Sequence, residues 1–283
     1  MKKVIASGFG LLLSLLVYSY ANTAQAYGEA GHRLICSAAL AHTQPQTQAT
    51  IAKLVAAAAA EAGEKYSSFG QLCVWPDDAR RLQEFQWTAP HHYVNFARDA
   101  VQVRAADCPS EGCILFALEH YQALLRQAQG QPHYWQALAF FSHYMGDLHQ
   151  PLHVSFADDL GGNRASLTFK GQPSNLHAVW DTLLLNEQMR RRELDYFDYL
   201  GWLQQKLAAL QLSHSDTFLA WANESASITR KLYSEYRSDI RYGDAYVDEY
   251  GVLSEHRLQE AAFRLAQRLD ALFAEPLKTP PEN

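Results

Sequence analysis

Apolar residues fall at helical spacing along most of this chain, and only one segment alternates. Trp135, Leu138, Phe141 and Met145 recur every three or four residues, as one face of a helix requires. Ala139, His143 and Asp147 form a separate stripe on the same helix, so core is expected on one side and chemistry on another, and Pro151 should end it. Earlier helices are expected from His32 to about Ala41 and from Thr47 to Ala62, the second with an alanine run and a stop at Gly63. Later ones run from Leu176 to about Arg191, through a tyrosine-rich stretch to Leu212, and from Phe218 to about Tyr236. Leu258, Leu265, Leu269 and Leu272 mark a last helix before a Thr279-Pro280-Pro281 tail. Ala165 to Lys170 alternates after the Gly161-Gly162 turn and is the one clear β signal, a short hairpin strand. There is no internal repeat and no dividing linker. The expected class is all-α, a single mainly helical domain over residues 27–283 with long loops and a short β-hairpin.

The first 26 residues are excluded from that domain. Lys2 and Lys3 precede an apolar run from Val4 to about Tyr20, and Ala24-Gln25-Ala26 follows as a small-x-small cleavage site. The run is shorter than the ~20 apolar residues of a membrane span, and no later segment could span a bilayer. A signal peptide over residues 1–26 is therefore expected, with Tyr27 as the first mature residue and export to periplasm or medium. An oxidising destination lets the four cysteines pair. Cys108 and Cys113, closing a Pro-Ser-Glu-Gly loop, form the natural first bridge, which leaves Cys36 with Cys73. Removing two lysines and no acids takes the net charge from -6 to -8. A protein that binds nucleic acid by counterion release should be basic, so any phosphate affinity here must be local, and metal ions could supply it.

His143 with Asp147 and His177 with Asp181 are each four residues apart, so on a helix each pair offers an imidazole nitrogen and a carboxylate oxygen to one point. His153 lies between the pairs, and His32, Asp77 and His92 precede them. Ionised carboxylates near a helical core need a compensating charge. The donors are all nitrogen or oxygen, which suits a catalytic zinc with open positions better than a thiolate-bound structural one. A carboxylate such as Asp147 can bridge two ions, and two metals ~3.5–4 Å apart clamp the attacking and leaving oxygens of a phosphoryl hydrolysis. His149 is expected to support the ligands from behind, while His42, His91, His133 and His256 are expected to be ordinary surface or packing residues. Asn223-Glu224-Ser225 fits the N-glycosylation pattern.

The ordered motifs Tyr27-Gly28-x-x-Gly31-His32, Trp75-Pro76-Asp77, His92-Tyr93-Val94-Asn95, His143-x-x-x-Asp147-x-x-Gln150-Pro151-Leu152-His153, Gly161-Gly162-Asn163 and Asn175-Leu176-His177-x-x-x-Asp181 resemble the trinuclear-zinc, single-strand-specific nucleases of the nuclease I type. The resemblance implies three Zn2+ per chain at the base of a cleft. Tyr27, through its own amino nitrogen and carbonyl oxygen, would hold the first with His32 and Asp147. Asp77, His92, His143 and the bridging Asp147 would hold its partner, and His153, His177 and Asp181 the third. That family usually begins with Trp; because the Tyr27 ligands are main-chain atoms, the change should affect packing more than metal binding. The resemblance also assigns Arg80 to the scissile phosphate, Tyr93 to stacking on a base, and Asn95, where fungal members carry Asp, to hydrogen bonding that base. Asn163 and Asn175 join these as expected substrate contacts, with Asp77 and Arg80 as the expected catalytic residues.

The implied activity is hydrolysis of single-stranded DNA and RNA to 5'-phosphorylated products, together with 3'-nucleotidase activity, with no stable protein partner. A zinc phospholipase C shares the helical pattern but has a longer gap after its first residue and a Glu in place of Asp181. A zinc peptidase would carry His-Glu-x-x-His, which does not occur. A non-enzymatic exported zinc-binding protein is the alternative from another class; its sites would be closed and cysteine-rich.

Overall fold

The computed structural model describes residues 27–127, 130–212 and 217–274. The expected signal segment and the Thr279-Pro280-Pro281 tail lie outside the described residues. In chain order the longer helices and the strands are α1 (Glu29–His42), α2 (Pro45–Ala62), α3 (Phe69–Leu72), α4 (Trp75–Ala79), β1 (Val94–Asn95), α5 (Ile114–Gln127), α6 (Tyr134–His149), β2 (Val154–Ser155), β3 (Ser166–Phe169), β4 (Gln172–Asn175), α7 (Leu176–Ala178), α8 (Leu184–Arg191), α9 (Tyr196–Ala209), α10 (Phe218–Glu235), β5 (Arg241–Tyr242) and α11 (Asp244–Leu272). The fold is mainly helical, as the periodicity implied, and no described helix is long and apolar enough to cross a membrane.

The centre of the molecule is α6. Its Trp135, Leu138, Phe141 and Met145 are buried, but so are Ala139, Phe140, His143, Tyr144 and Asp147. The expected division into a core side and a chemical side is therefore replaced by a helix buried all round, packed by α5, α11, α10, α2 and α1. The stripe was expected on the side away from the core; the enclosure comes from distant helices that no local pattern reports. Pro151 does end α6: Gln150 is extended, and Pro151–His153 forms a single tight turn.

Two small sheets shape the edge of the site. β1 and β2 pair in parallel, Val94 with Val154 and Asn95 with Ser155, which sets the Tyr93–Asn95 segment beside His153. β3 and β4 form the expected hairpin, and β5 adds a parallel third strand through Thr168↔Arg241 and Phe169↔Tyr242. The two-residue strands β1, β2 and β5 are too short to leave an alternation in the sequence. After β4 the chain turns through α7 into a π-helical stretch, Val179–Leu183, and then α8. Asp181 sits in that π turn, a local form found often at functional sites.

The two disulfides join Cys36 to Cys73 and Cys108 to Cys113. Asn223 is not a free sequon. Its amide donates to the carbonyls of Val103 (3.1 Å) and Leu219 (2.9 Å) and accepts from Val103 N (2.8 Å), while Ser225 is fully buried. A glycan would break the clamp between α10 and the segment ahead of α5, so the motif is a packing feature.

Candidate metal centre and substrate pocket

Three groups of buried donors meet at the ends of α1, α4, α6 and α7: His32, His143 and Asp147; Asp77, His92 and His143; and His153, His177 and Asp181. Asp147 lies between them. Its Oδ1 is 3.2 Å from His32 Nε2 and 3.7 Å from His153 Nδ1, and its Oδ2 is 3.0 Å from His92 Nδ1 and 3.2 Å from His143 Nε2. Asp77 Oδ1 stands 3.9 Å from both His92 Nδ1 and His143 Nε2. In the third group His177 Nε2 is 3.0 Å and His153 Nε2 3.8 Å from the carboxylate of Asp181. His143 thus belongs geometrically to two groups, where the sequence reading gave it to one.

Main-chain carbonyls aim these rings. His143 Nδ1–H donates to Cys73 O (2.7 Å), His153 Nδ1–H to His92 O (2.7 Å) and His177 Nδ1–H to Gly161 O (2.6 Å). A carbonyl only accepts, so each ring carries its proton on Nδ1 and turns the Nε2 lone pair inward, the arrangement typical of histidine ligands. Two glycines make the geometry possible. A Cβ on Gly146 would lie 2.9 Å from His32 Nδ1, so α6 can carry no side chain where α1 brings in that ring. Gly161 takes φ 62, and a Cβ there would lie 2.6 Å from Leu152 O.

The donor set fits a cation. Both ring nitrogens of His32, both oxygens of Asp77, His92 Nε2, Asp147 Oδ1 and His153 Nε2 are buried without a hydrogen-bond partner. Buried polar atoms are normally satisfied, and each imidazole offers one lone pair beside the Asp oxygens, so this cluster of acceptors calls for positive charge. The charge pattern agrees. Burial opposes ionisation of Asp147, yet His143 and His153 hold its carboxyl well below the ordinary range. Burial pushes His92 down to about 4. It also lowers His153, while at His143 and His177 the neighbouring carboxylates outweigh burial and raise the imidazole.

The centre opens into a pocket of about 190 Å³ lined by His92, His153 and His177 on one side and by Arg80, Tyr93, Asn95, Leu160 and Asn163 around the mouth. Arg80 Nη2 is 3.2 Å from Asp77 Oδ1. Arg81 points elsewhere, to Asp78 at 3.5 Å on the surface. Tyr93 is 42 % exposed and offers a ring to anything entering. Asn163 donates to Leu160 O (2.8 Å). Asn175 stands outside the pocket lining: as the extended residue before α7 it is the N-cap, and its oxygen accepts from Ala178 N at 2.8 Å. Tyr27 is fully buried, its ring edge-on to His32, and the adjacent Gly28 N donates to Asp181 O at 2.9 Å. The first two described residues thus lie beside the first and third donor groups, Tyr27 at His32 and Gly28 at Asp181.

The assignment of His149 changes on contact with the geometry. His149 faces away from the ligands: Nδ1–H donates to Met145 O (2.7 Å), and Nε2 accepts from Arg264 (2.9 Å). The intervening Pro151 ends the shared helical face, so His149 ties α6 to α11 instead of supporting His153. The supporting role belongs to Gln150, whose Nε2 donates to Asp181 Oδ1 while its Oε1 accepts from Leu152 N at 2.5 Å. Its position between two donors of one motif was the available signal. His91 is buried in packing, while His133 and His256 are half-exposed or more.

A mainly helical scaffold carries three groups of buried nitrogen and oxygen donors that could hold metal ions, beneath an aromatic-rimmed pocket. The S1/P1 Nuclease family profile matches residues 27–274, and the chain belongs to this family. It is 33% identical to Endonuclease 2 of Arabidopsis thaliana over 91% of this chain and 94% of that protein. It is 30% identical to Endonuclease 3 of the same plant, covering 93% and 95%. Nuclease S1 of Aspergillus oryzae is 22% identical, covering 94% of this chain and 98% of its own.

Proposed function

We propose that this chain is an exported, zinc-dependent phosphodiesterase that cleaves single-stranded DNA and RNA to 5'-phosphorylated products and also acts as a 3'-nucleotidase. The observation that carries this is the set of buried His and Asp donors, several without a hydrogen-bond partner, that converge beneath a pocket bearing Arg80 and Tyr93. In this reading His32, Asp77, His92, His143, Asp147, His153, His177 and Asp181 hold three zinc ions, and Tyr27 completes the first site through its main chain once residues 1–26 are removed. The start of the family match at residue 27 supports that processing point, and the disulfides suit an oxidising destination.

When bound, zinc supplies Lewis acidity and an activated water for in-line hydrolysis, so no covalent intermediate is needed. The chain's own residues do the rest. Carbonyl-aimed histidines keep their lone pairs fixed before substrate arrives, so little reorganisation is left to the reaction. Arg80, held by Asp77 at the pocket edge, balances charge on the phosphoryl oxygens. Tyr93 stacks on a base that has left its helix, which disfavours duplex, and the Asn95 and Asn163 amides offer both donors and acceptors to the base edge. The family membership and the endonuclease names of the relatives favour this over a phospholipase C, and an open pocket over the donors disfavours a purely structural metal site.

The test is metal analysis of processed protein together with hydrolysis of matched single-stranded and duplex oligonucleotides. About three zinc ions per chain, with chelator-sensitive cleavage favouring single strands, is expected. Active protein with one ion or fewer would overturn the trinuclear reading, and absence of cleavage would overturn the nuclease reading.

A further inference from the structure

Three of the four large aromatic side chains exposed among the described residues, Trp87, Tyr93 and Phe116, lie around one short stretch of backbone, and only Tyr93 lines the pocket over the donors. Trp87 is 55% exposed and Phe116 50%. Exposed rings that cluster instead of scattering mark a binding surface. Trp87 sits midway along the 3-10 helix Gln83–His92, which ends at the donor His92, and Phe116 sits in the first turn of α5. The N–H of Ile114 donates to Tyr93 O at 3.0 Å, so the start of α5 is tied directly to the pocket edge.

Both rings outside the pocket are braced. The buried His91 meets Trp87 edge-on at 5.3 Å and Phe116 at 5.6 Å, and His120 stacks on Phe116 at 5.7 Å. Trp87 Nε1 donates to Glu84 O at 3.0 Å, which fixes the orientation of the indole. Gly112 has φ 94, and a Cβ there would lie 2.6 Å from His91 Nε2 and 3.0 Å from Phe116, so the loop closed by the Cys108–Cys113 bridge presses on the same rings. Trp87 and His120 line a cavity of about 360 Å³, with Phe85, Tyr121 and Phe140 among its walls. Rings fixed before a ligand arrives lose little freedom on binding.

We propose that Trp87, Phe116 and the cavity beside Trp87 form a separate base-stacking surface, which takes a base of the same single strand beyond the nucleotide held at Tyr93. The proposal rests on the nuclease reading above and extends it from one nucleotide to a length of strand. The 3-10 rise from Trp87 to His92 is about 10 Å, and stacked bases lie ~3.4 Å apart along a strand, so nucleotides a few positions apart reach the two places. Exposed Glu84, Glu111 and Glu119 sit next to these rings in the chain and disfavour phosphate there. Ring faces therefore carry the contact, and they accept any base.

The test uses processed, zinc-loaded enzyme with a dinucleotide, a single strand of about ten nucleotides, and the same strand made abasic everywhere except at its central linkage. The readouts are kcat/KM at that linkage, zinc content and melting temperature. Wild type is expected to favour the intact strand over the other substrates. Trp87→Ala is expected to lower kcat/KM for the intact strand by about tenfold, the scale of one lost base–aromatic stack, mainly through KM, with the dinucleotide within about twofold of wild type and zinc and melting temperature unchanged. Phe116→Ala should act in the same direction, and Trp87→Phe should keep most of the activity. An equal fall on the dinucleotide, no fall on the intact strand in either alanine variant, or an abasic-flanked strand that wild type cleaves as well as the intact one would overturn the proposal. Wild-type enzyme that cleaves none of these substrates would sink the nuclease reading itself, and the proposal with it.

Discussion

Asp147 touches every part of the donor cluster: one oxygen faces His32 and His153, the other His92 and His143. Replacing it with Asn exchanges an oxygen for an NH2 that cannot ligate. Asp147→Asn is accordingly expected to lose more than one zinc and nearly all turnover, measured by metal analysis and initial rates. Arg80→Ala should behave differently, with full zinc content and a rate lower by ~10²-fold, since only charge stabilisation at the phosphoryl group is removed. Zinc loss in Arg80→Ala would contradict its assigned role. At this scale the sequence was informative because His-x-x-x-Asp spacing reports a shared helix face directly. What it hid was partnership: nothing in the string shows that Gln150 reaches Asp181 or that His149 turns to Arg264, because those contacts depend on where Pro151 redirects the chain.

At the scale of elements, α1 approaches α6 so closely that Gly146 is the only residue type its position admits opposite His32. Gly146→Ala, although it favours helix, should push His32 aside and weaken zinc at that site, with the helical circular dichroism retained. Full zinc occupancy would show that the helices can separate by the few tenths of an ångström required. The packing of α10 on α11 holds a second buried charge system, in which Arg257 and Arg264 bind Glu224 and Glu260. Although burial opposes its ionisation, His256 and Arg257 lower Glu260 from 4.5 to about 2. A depressed carboxyl adds stability above its ordinary pKa and loses it as pH falls through the folded value. On the order of 3 kcal/mol should therefore disappear between about pH 4.5 and 2. In chelator-treated protein, Glu260→Gln should melt lower at pH 6 and show a shallower acid decline than wild type; parallel curves would remove Glu260 from the account.

The helices with strong periodicity, such as α2 and α10, were legible to within a few residues. α5 was missed although Leu118, Tyr121 and Leu125 face the core, because it follows a disulfide loop and carries no clear cap. α11 begins well before its leucine stripe, since its first turns bury Val247 and Tyr250 in a cluster with Leu167, Phe169 and Tyr242, along with the polar Ser254 and Glu255.

On the scale of the whole molecule, the proposed site is assembled from segments far apart in sequence and is incomplete until the chain has been cut. A free amine at Tyr27 exists only after Ala26 is removed, and the amine must be unprotonated to bind metal. Protein carrying a Met or a tag directly before Tyr27 should hold one zinc poorly and lose most activity, whereas an authentic Tyr27 start should restore both. Two preparations differing only in that extension, checked by mass, decide it: equal zinc and equal rates would refute the N-terminal ligand.

The Cys36–Cys73 bridge joins the helix that presents His32 to the residue whose carbonyl orients His143. Oxidation state and metal geometry therefore share one covalent strut. Under the export and processing proposed above, in a reducing cytosol the bridge is not yet made, and both rings lack their common anchor while residues 1–26 still block the terminal amine. Under that proposal a cell making this protein is guarded against its own product by two independent locks, an unformed bridge and a blocked amine, and both are released only on the far side of the membrane.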